Sequence, residues 1–321
     1  VSAKPLKQNQ PKQPLPAVEA PRALDSFKSV QESKLPKKFN DMLERLQDIP
    51  TLPVVATRIN ELINDPESSA ADIAEVLKKD QVLTAKVLKL INSPYYGIPG
   101  GVTEVQRALA FLGFNTIAQL VLGLSVFSLF PSDGQSEGFS IPDFWKHALG
   151  AAVCSEQIAK RINYPRPEEA FTCGLLHDIG KLVMYQIAKP LLLEIVASAK
   201  SQKKSFVEIE RDMDVPGHGF LGEHIAAKWG LPQVIRGAIR YHHQDVRQVQ
   251  TLLPVVKQAA QIVSLANGLV VSVAMGHSGD YSDGGVKPWM HEVLGLGLAD
   301  VEEIKKRVAE ESQKAGAFLN V

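Results

Sequence analysis

A chain of 321 residues with 45% apolar composition is long enough to bury a sizeable core, as one large domain or two modest ones. Its 35 basic and 35 acidic residues cancel to a formal net charge of +0, which excludes a strong whole-chain field for nucleic acid or an acidic membrane surface. Two cysteines, Cys154 and Cys173, exclude a disulfide scaffold and fit a reducing compartment.

Residues 1–38 contain "PLKQNQPKQPLPAVEAPRAL", rich in Pro, Lys and Gln and without an apolar period. Such a segment cannot bury enough surface to offset its ordering entropy, so a flexible tail or linker is expected. Helical patterning begins with "KKFNDMLERLQDI", where Phe39, Met42, Leu43 and Leu46 recur at three-and-four spacing. "LPVVATRINELINDP" repeats it and stops at Asn64-Asp65-Pro66. "SSAADIAEVLKKD" opens on a capping serine with acids in its early turns. Asp80 is placed to cap "QVLTAKVLKLI", and Asn92-Ser93-Pro94 to end it by side-chain-to-backbone bonding. "VTEVQRALAFLG" and "FNTIAQLVLGLSVFSLF" complete an N-terminal helical subdomain over residues 39–135.

"PSDGQSEG", residues 131–138, is a loop by composition and a seam between two helical halves. The second half, residues 139–321, is a succession of helix-like segments ending in "DVEEIKKRVAEESQKAGAFL". No segment alternates as a strand does, so the expected fold class is all-α. The longest apolar region, "IAQLVLGLSVFSLF", is broken by Gln119, Gly123 and two serines and falls short of a comfortable bilayer span. No stretch resembles a signal peptide, and no basic stripe is interleaved with aromatics. The expectation is a cytoplasmic protein with neither membrane nor nucleic acid as partner.

Six of the eight histidines lie between positions 147 and 243. His147 has Asp143 four residues before it, on one helix face. "FTCGLLHDIGKL" supplies His177 and Asp178 side by side, with Lys181 just after. His218 opens another helix, and His242-His243 closes a further one. Imidazoles with one or two carboxylates, drawn from several helices, are the donor set a divalent transition metal takes. Each element alone has a bland reading as a buried, hydrogen-bonded side chain; their order and spacing carry the metal reading. Cys173 and Trp229 are read as packing residues.

That order resembles the HD superfamily of metal-dependent phosphohydrolases. The resemblance implies that His147, His177 and Asp178 hold a first divalent metal, with Fe, Mn, Mg, Zn and Ni not distinguished. It places His218, His242 and His243 where the multi-metal branch, which includes the HD-GYP cyclic-di-GMP phosphodiesterases, has further ligands. Asp143 falls near an extra carboxylate of that branch, and Lys181 where it could touch a phosphate oxygen. Two departures stand out. Asn267 takes the place of the family's late aspartate and offers a carbonyl oxygen without charge. "QDVRQVQTLLP" follows His243 where the HD-GYP branch has Gly-Tyr-Pro.

More of the chain resembles the HDOD domain, a bacterial signalling relative of the HD fold. "LPVVATRI", "LKKDQVLTAKVLKLINS" and "RALAFLGFNTI" look like its N-terminal signature. "FWKHAL", "EEAFTCGLLHDIGKL", "GHGFLGEHIAAKWGLP" and "AIRYHH" look like its second half. Gln81 departs from the proline that usually follows Asp80. The resemblance implies an HD-like helical bundle with an added N-terminal helical subdomain. It implies a regulatory module that binds signalling proteins rather than an enzyme. The retained ligands keep open a metal-dependent phosphohydrolase, with Lys181 as its catalytic cation, and a sensor of a cyclic dinucleotide or other nucleotide.

Overall fold

Side-chain caps set the helix boundaries in the first part of the chain. A computed structural model describes residues 42–315 apart from 94, 132–133, 137, 246 and 283–285; the tail expected over residues 1–38 lies outside them. A 3-10 turn, Leu46–Asp48, leads into α1, Val54–Asn64. A capping box of Ser69 and Asp72 opens α2, Ala70–Lys78. The Leu83 N–H donates to the Asp80 carboxylate at 2.9 Å to open α3, Gln81–Ile91, as the sequence predicts. Asn92 then brackets Val102, donating to its carbonyl at 2.7 Å and accepting from its N–H at 2.6 Å. The next helix, α4, Val105–Phe127, is kinked at Gly113, where φ is +80°, between the two helical segments predicted separately.

The expected loop at 131–138 runs into a short antiparallel ladder that the sequence did not foretell. β1, Gln135–Ser136, pairs with β2, Phe139–Ser140, in the register Gln135↔Ser140 and Ser136↔Phe139. Two-residue strands are too short to show alternation. Ser140 accepts from the Asp143 N–H and starts α5, Ile141–Arg161. The helices α6, Pro167–Leu176, α7, Ile179–Ile187, and α8, Lys189–Gln202, follow. After them come α9, Phe206–Asp212, α10, His218–Lys228, and α11, Gln233–Tyr241. The chain continues through α12, Pro254–Ser272, α13, Pro288–Glu292, and α14, Leu298–Ala315.

Helices α1 to α3 pack on α4, and α4 packs on α6. Around α6 lie α5, α11 and α12, while α10 crosses α7 and abuts α11. One apolar core runs from Met42 and Ile59 through Leu120 and Val121 to Phe171, Leu182 and Ile239. It crosses the seam at 131–138. A second cluster, with Ile158, Ile262, Leu269 and Ile304, seats α14. Trp229 is the packing anchor expected: it is buried and donates from Nε1 to the Pro50 carbonyl at 2.9 Å. Beside it the Lys228 ammonium donates to the carbonyls of Leu46, Gln47 and Ile49. Two helices, α4 and α12, are long and apolar enough to cross a membrane by length and composition, and both are more than half buried in the core.

Candidate metal centre

Four chain segments bring the predicted donors to one place. His147 lies within α5. His177 and Asp178 form the two-residue link between α6 and α7. His218 is the first residue of α10, and His242 and His243 follow the end of α11. The crossing of α7 and α10 is set by Gly180. A Cβ there would overlap the carbonyl oxygen of His218 and crowd the Gly222 N–H. His147, His177, Asp178, Lys181, His218 and His242 are each no more than 1% exposed, while His243 is half-buried, so all but one of the groups are withdrawn from solvent.

The donors divide into two half-sites that share Asp178. In the first, His147 Nε2 and His177 Nε2 are 3.4 Å apart, at 3.8 and 3.4 Å from Asp178 Oδ2. In the second, His218 Nε2 and His242 Nε2 are 3.4 Å apart, at 3.2 and 3.5 Å from Asp178 Oδ1. His243 belongs to this second group; its donor atom lies within 4.8 Å of the others. A cation held at about 2.0–2.2 Å by nitrogen and oxygen separates neighbouring donors by roughly 3–3.5 Å.

Ring tautomers add a chemical argument. His177 Nδ1 faces the Gly174 carbonyl at 2.7 Å, and His242 Nδ1 faces the Ile239 carbonyl at 2.9 Å. His218 Nδ1 faces a Glu210 carboxylate oxygen at 2.9 Å. Those partners only accept, so each Nδ1 carries a proton and each Nε2 is turned into the centre, where a bound cation takes its lone pair and displaces the second proton that His218 holds without one. Lone pairs that face each other at 3.4 Å repel unless a cation or a proton lies between them. Asp178 Oδ1 and His243 Nε2 are also enclosed without a well-formed hydrogen bond. The residues present therefore fit a pair of divalent cations.

One cation already stands at the edge. Lys181 Nζ donates to Asp178 Oδ2 at 2.7 Å and to Ser278 Oγ at 3.2 Å, and it lies 4.7 Å from the Phe206 ring centre. Ser278 belongs to a segment pinned beside α5: the His277 N–H donates to the Asp143 carbonyl at 3.0 Å. At Gly276, φ is +70° and a Cβ would collide with the Asp143 carbonyl and the His147 N–H.

The HDOD domain family matches residues 49–245, well over half of the sequence. The chain belongs to the HDOD family. An HDOD domain protein of unknown function from Geobacter sulfurreducens is similar at 22% identity and a TM-score of 0.66, covering 88% of this chain and 95% of that one. A candidate phosphohydrolase from Shewanella amazonensis SB2B is similar at 23% identity and a TM-score of 0.68, covering 87% of this chain and 98% of that one. A candidate signal transduction protein from Marinobacter aquaeolei VT8 gives 23% identity and a TM-score of 0.71, covering 93% and 64%. At these identities the likeness establishes the HDOD helical fold. Among curated proteins, an uncharacterized Treponema pallidum protein is 22% identical over 230 residues, 71% of this chain and 44% of its own length. YuxH of Bacillus subtilis, also uncharacterized, is 26% identical over 129 residues, 40% of this chain and 30% of its own length. This HDOD chain thus spans less than half of the curated relatives it matches.

One further predicted donor of the HDOD chain does not join the centre. Asp143 sits in the first turn of α5, half-exposed, and pairs with Lys146 at 3.1 Å. Helical spacing puts it on the His147 face, but the nearby ammonium holds its carboxylate at the surface. Asn267, on α12, keeps Oδ1 enclosed and without a hydrogen-bond partner, as Asp178 does its own Oδ1. Sequence reasoning missed Glu210 and Ser278. Glu210 is 2% exposed and grips both the ring and the backbone N–H of His218. Its signal is its place on the buried stripe Phe206, Ile209, Glu210 of α9.

Burial, and then the like charge of His177, lowers the His147 pKa to about 3. Burial lowers His242 to about 4. At His218 burial also acts downward, but the Glu210 charge and hydrogen bonds to Asp178 and Glu210 outweigh it and raise the ring to about 9. Asp178 falls well below the usual range because Lys181 and the surrounding rings more than offset its burial. In the metal-free chain, His147 and His242 resist protons that the unfolded rings accept. Their contribution to stability is therefore lost as pH falls from 6.5 toward 3. The His218 contribution is full below 6.5 and lost as pH rises through 9. Glu169, raised to about 6 by burial, acts oppositely on the acid side but over a shorter span, 4.5 to about 6. Denaturant titrations in chelator should give a stability maximum near pH 6.5, with losses on both sides; a flat profile across pH 5–8 contradicts this charge assignment.

Proposed function

We propose that this HDOD domain is a signalling module that engages partner proteins and retains a divalent metal pair as a closed, non-catalytic centre. The observation that supports it is enclosure. Every donor but the half-buried His243 is at most 1% exposed, and Lys181, the group that would meet a phosphate, is already bound to Asp178 and Ser278. Metal centres that only hold a fold together fill their positions with protein donors, whereas catalytic ones keep a position open to substrate. Imidazole-rich donors favour Fe, Zn or Ni over Mg and Mn, which prefer oxygen. The Marinobacter relative, named as a candidate signal transduction protein, agrees with a signalling setting.

A phosphohydrolase is the second reading, favoured by the two half-sites joined through one carboxylate with a lysine beside it. Bound divalent metal would supply Lewis acidity and a more acidic water. Lys181 would leave Asp178 to neutralise a phosphoryl oxygen, and the segment carrying Ser278 would have to withdraw to admit it. A cyclic-dinucleotide sensor needs the same opening without turnover, and calorimetry with cyclic dinucleotides tests it.

Metal analysis of protein purified without chelator should find bound transition metal. A turnover screen over nucleotides, cyclic dinucleotides and a chromogenic phosphodiester should stay at the background of His177→Ala. Turnover above that background overturns the non-catalytic reading. His177→Ala is expected to lose the first half-site's cation, keep the second, and leave partner binding unchanged. Equal loss of both cations contradicts the division into half-sites.

A further inference from the structure

The geometry points to two half-sites of unequal strength, with the pocket of His218, His242 and His243 filling before that of His147 and His177, and with Glu210 and Lys181 setting the order. This rests on the reading of the cluster as a cation centre. Glu210 is the positioning residue of the stronger half. Its Oε1 accepts from the His218 backbone N–H at 2.5 Å and its Oε2 accepts from Nδ1 at 2.9 Å. Held at two points, the carboxylate fixes the ring, aims Nε2 at Asp178 Oδ1, and makes that nitrogen a better donor through the shared proton. His177 and His242 have only neutral carbonyls behind them. Among these three rings, His218 alone is backed by a full negative charge.

Lys181 acts on the other half. Its ammonium occupies Asp178 Oδ2, the oxygen that faces His147 and His177. A cation entering there meets a positive charge in a closed, poorly screened site and a carboxylate oxygen already engaged. The second half offers three imidazoles and Oδ1, which has no well-formed hydrogen bond. The first offers two imidazoles and an oxygen shared with lysine. Donor number, backing charge and the lysine all favour the same order.

Zn2+ titration of the full, metal-free chain against a chromophoric chelator tests this, with ring nitrogens followed by long-range proton–nitrogen spectra. The first equivalent should move the signals of His218, His242 and His243, and the second those of His147 and His177. Glu210→Gln, which keeps an acceptor but removes the charge, should weaken the first-filling half about 10- to 100-fold and leave the other unchanged. Lys181→Met should tighten the His147–His177 half instead. Simultaneous filling, the reverse order, or equal weakening of both halves by Glu210→Gln overturns the inference. If Glu210→Gln does not fold, the wild-type spectra still decide, because zinc on Nδ1 of His218 contradicts the role given to Glu210. A wild-type chain that takes up no zinc removes the cation centre itself, a result distinct from two equal sites.

Discussion

Gly180→Ala is expected to destabilise the folded chain by about 3 kcal/mol or more and to strip the second half-site of its cation. The added methyl carbon would meet the His218 carbonyl oxygen and the Gly222 N–H, both backbone groups that no rotamer change can move. Helices α7 and α10 must then part, and they carry the two sides of the His218–Asp178 contact, 3.2 Å in the native chain. Thermal unfolding should drop by at least about 5 °C, and metal content should fall toward one equivalent. Gly268→Ala is the matched control. It lies within α12, and its nearest neighbours would be 3.6 Å or more from the new Cβ, an ordinary contact. Helix propensity then makes that substitution neutral or slightly stabilising, by up to about 1 kcal/mol. If the two alanine variants melt alike, close approach at Gly180 is not what aligns the centre.

Local rules explain why the helices and the main donors were legible. Asp80 and Ser69 announce helix starts through short-range bonds that any sequence context would allow. The order His147, His177-Asp178, His218, His242-His243 is preserved because each residue sits at a helix end or on an inward face, where spacing constrains direction. Asp143 shows the limit of that logic. Four residues from His147, it shares a helix face, yet Lys146 captures it at the solvent edge. Which charge a carboxylate selects depends on nearby ammonium groups, not on period alone. Glu210 was hidden for the opposite reason. Eight residues and a turn separate it from His218, so no helical period links the two. Only its place among buried apolar neighbours marks it, since a charged group there needs a partner. The two-residue strands at 135–140 lie below the length at which alternation has meaning. The partner of Lys181 was half legible: three residues from Asp178 it shares a face, but the closing segment with Ser278 comes 97 positions later.

Asp178→Asn should cost the protein both cations at once, because Oδ1 and Oδ2 serve different half-sites. Asparagine keeps the shape and one carbonyl oxygen but loses the charge that two divalent ions would share. Metal analysis should fall from two equivalents toward none, whereas His177→Ala removes one. Folding suffers separately, even without metal. Lys181, 1% exposed, loses its only carboxylate partner among the described residues, and removing one member of a buried ion pair costs about 3–5 kcal/mol. The double variant Asp178→Asn with Lys181→Met removes the stranded charge as well. In chelator it should recover most of that loss, since a buried pair replaced by uncharged groups of similar volume is near neutral. Metal binding should stay absent in the double variant. Stability and cation capacity then part company, as the geometry requires: Lys181 balances Asp178 in the empty protein, and the histidines use Asp178 in the loaded one. Recovery of metal together with stability would show that Lys181, not the shared carboxylate, governs the centre.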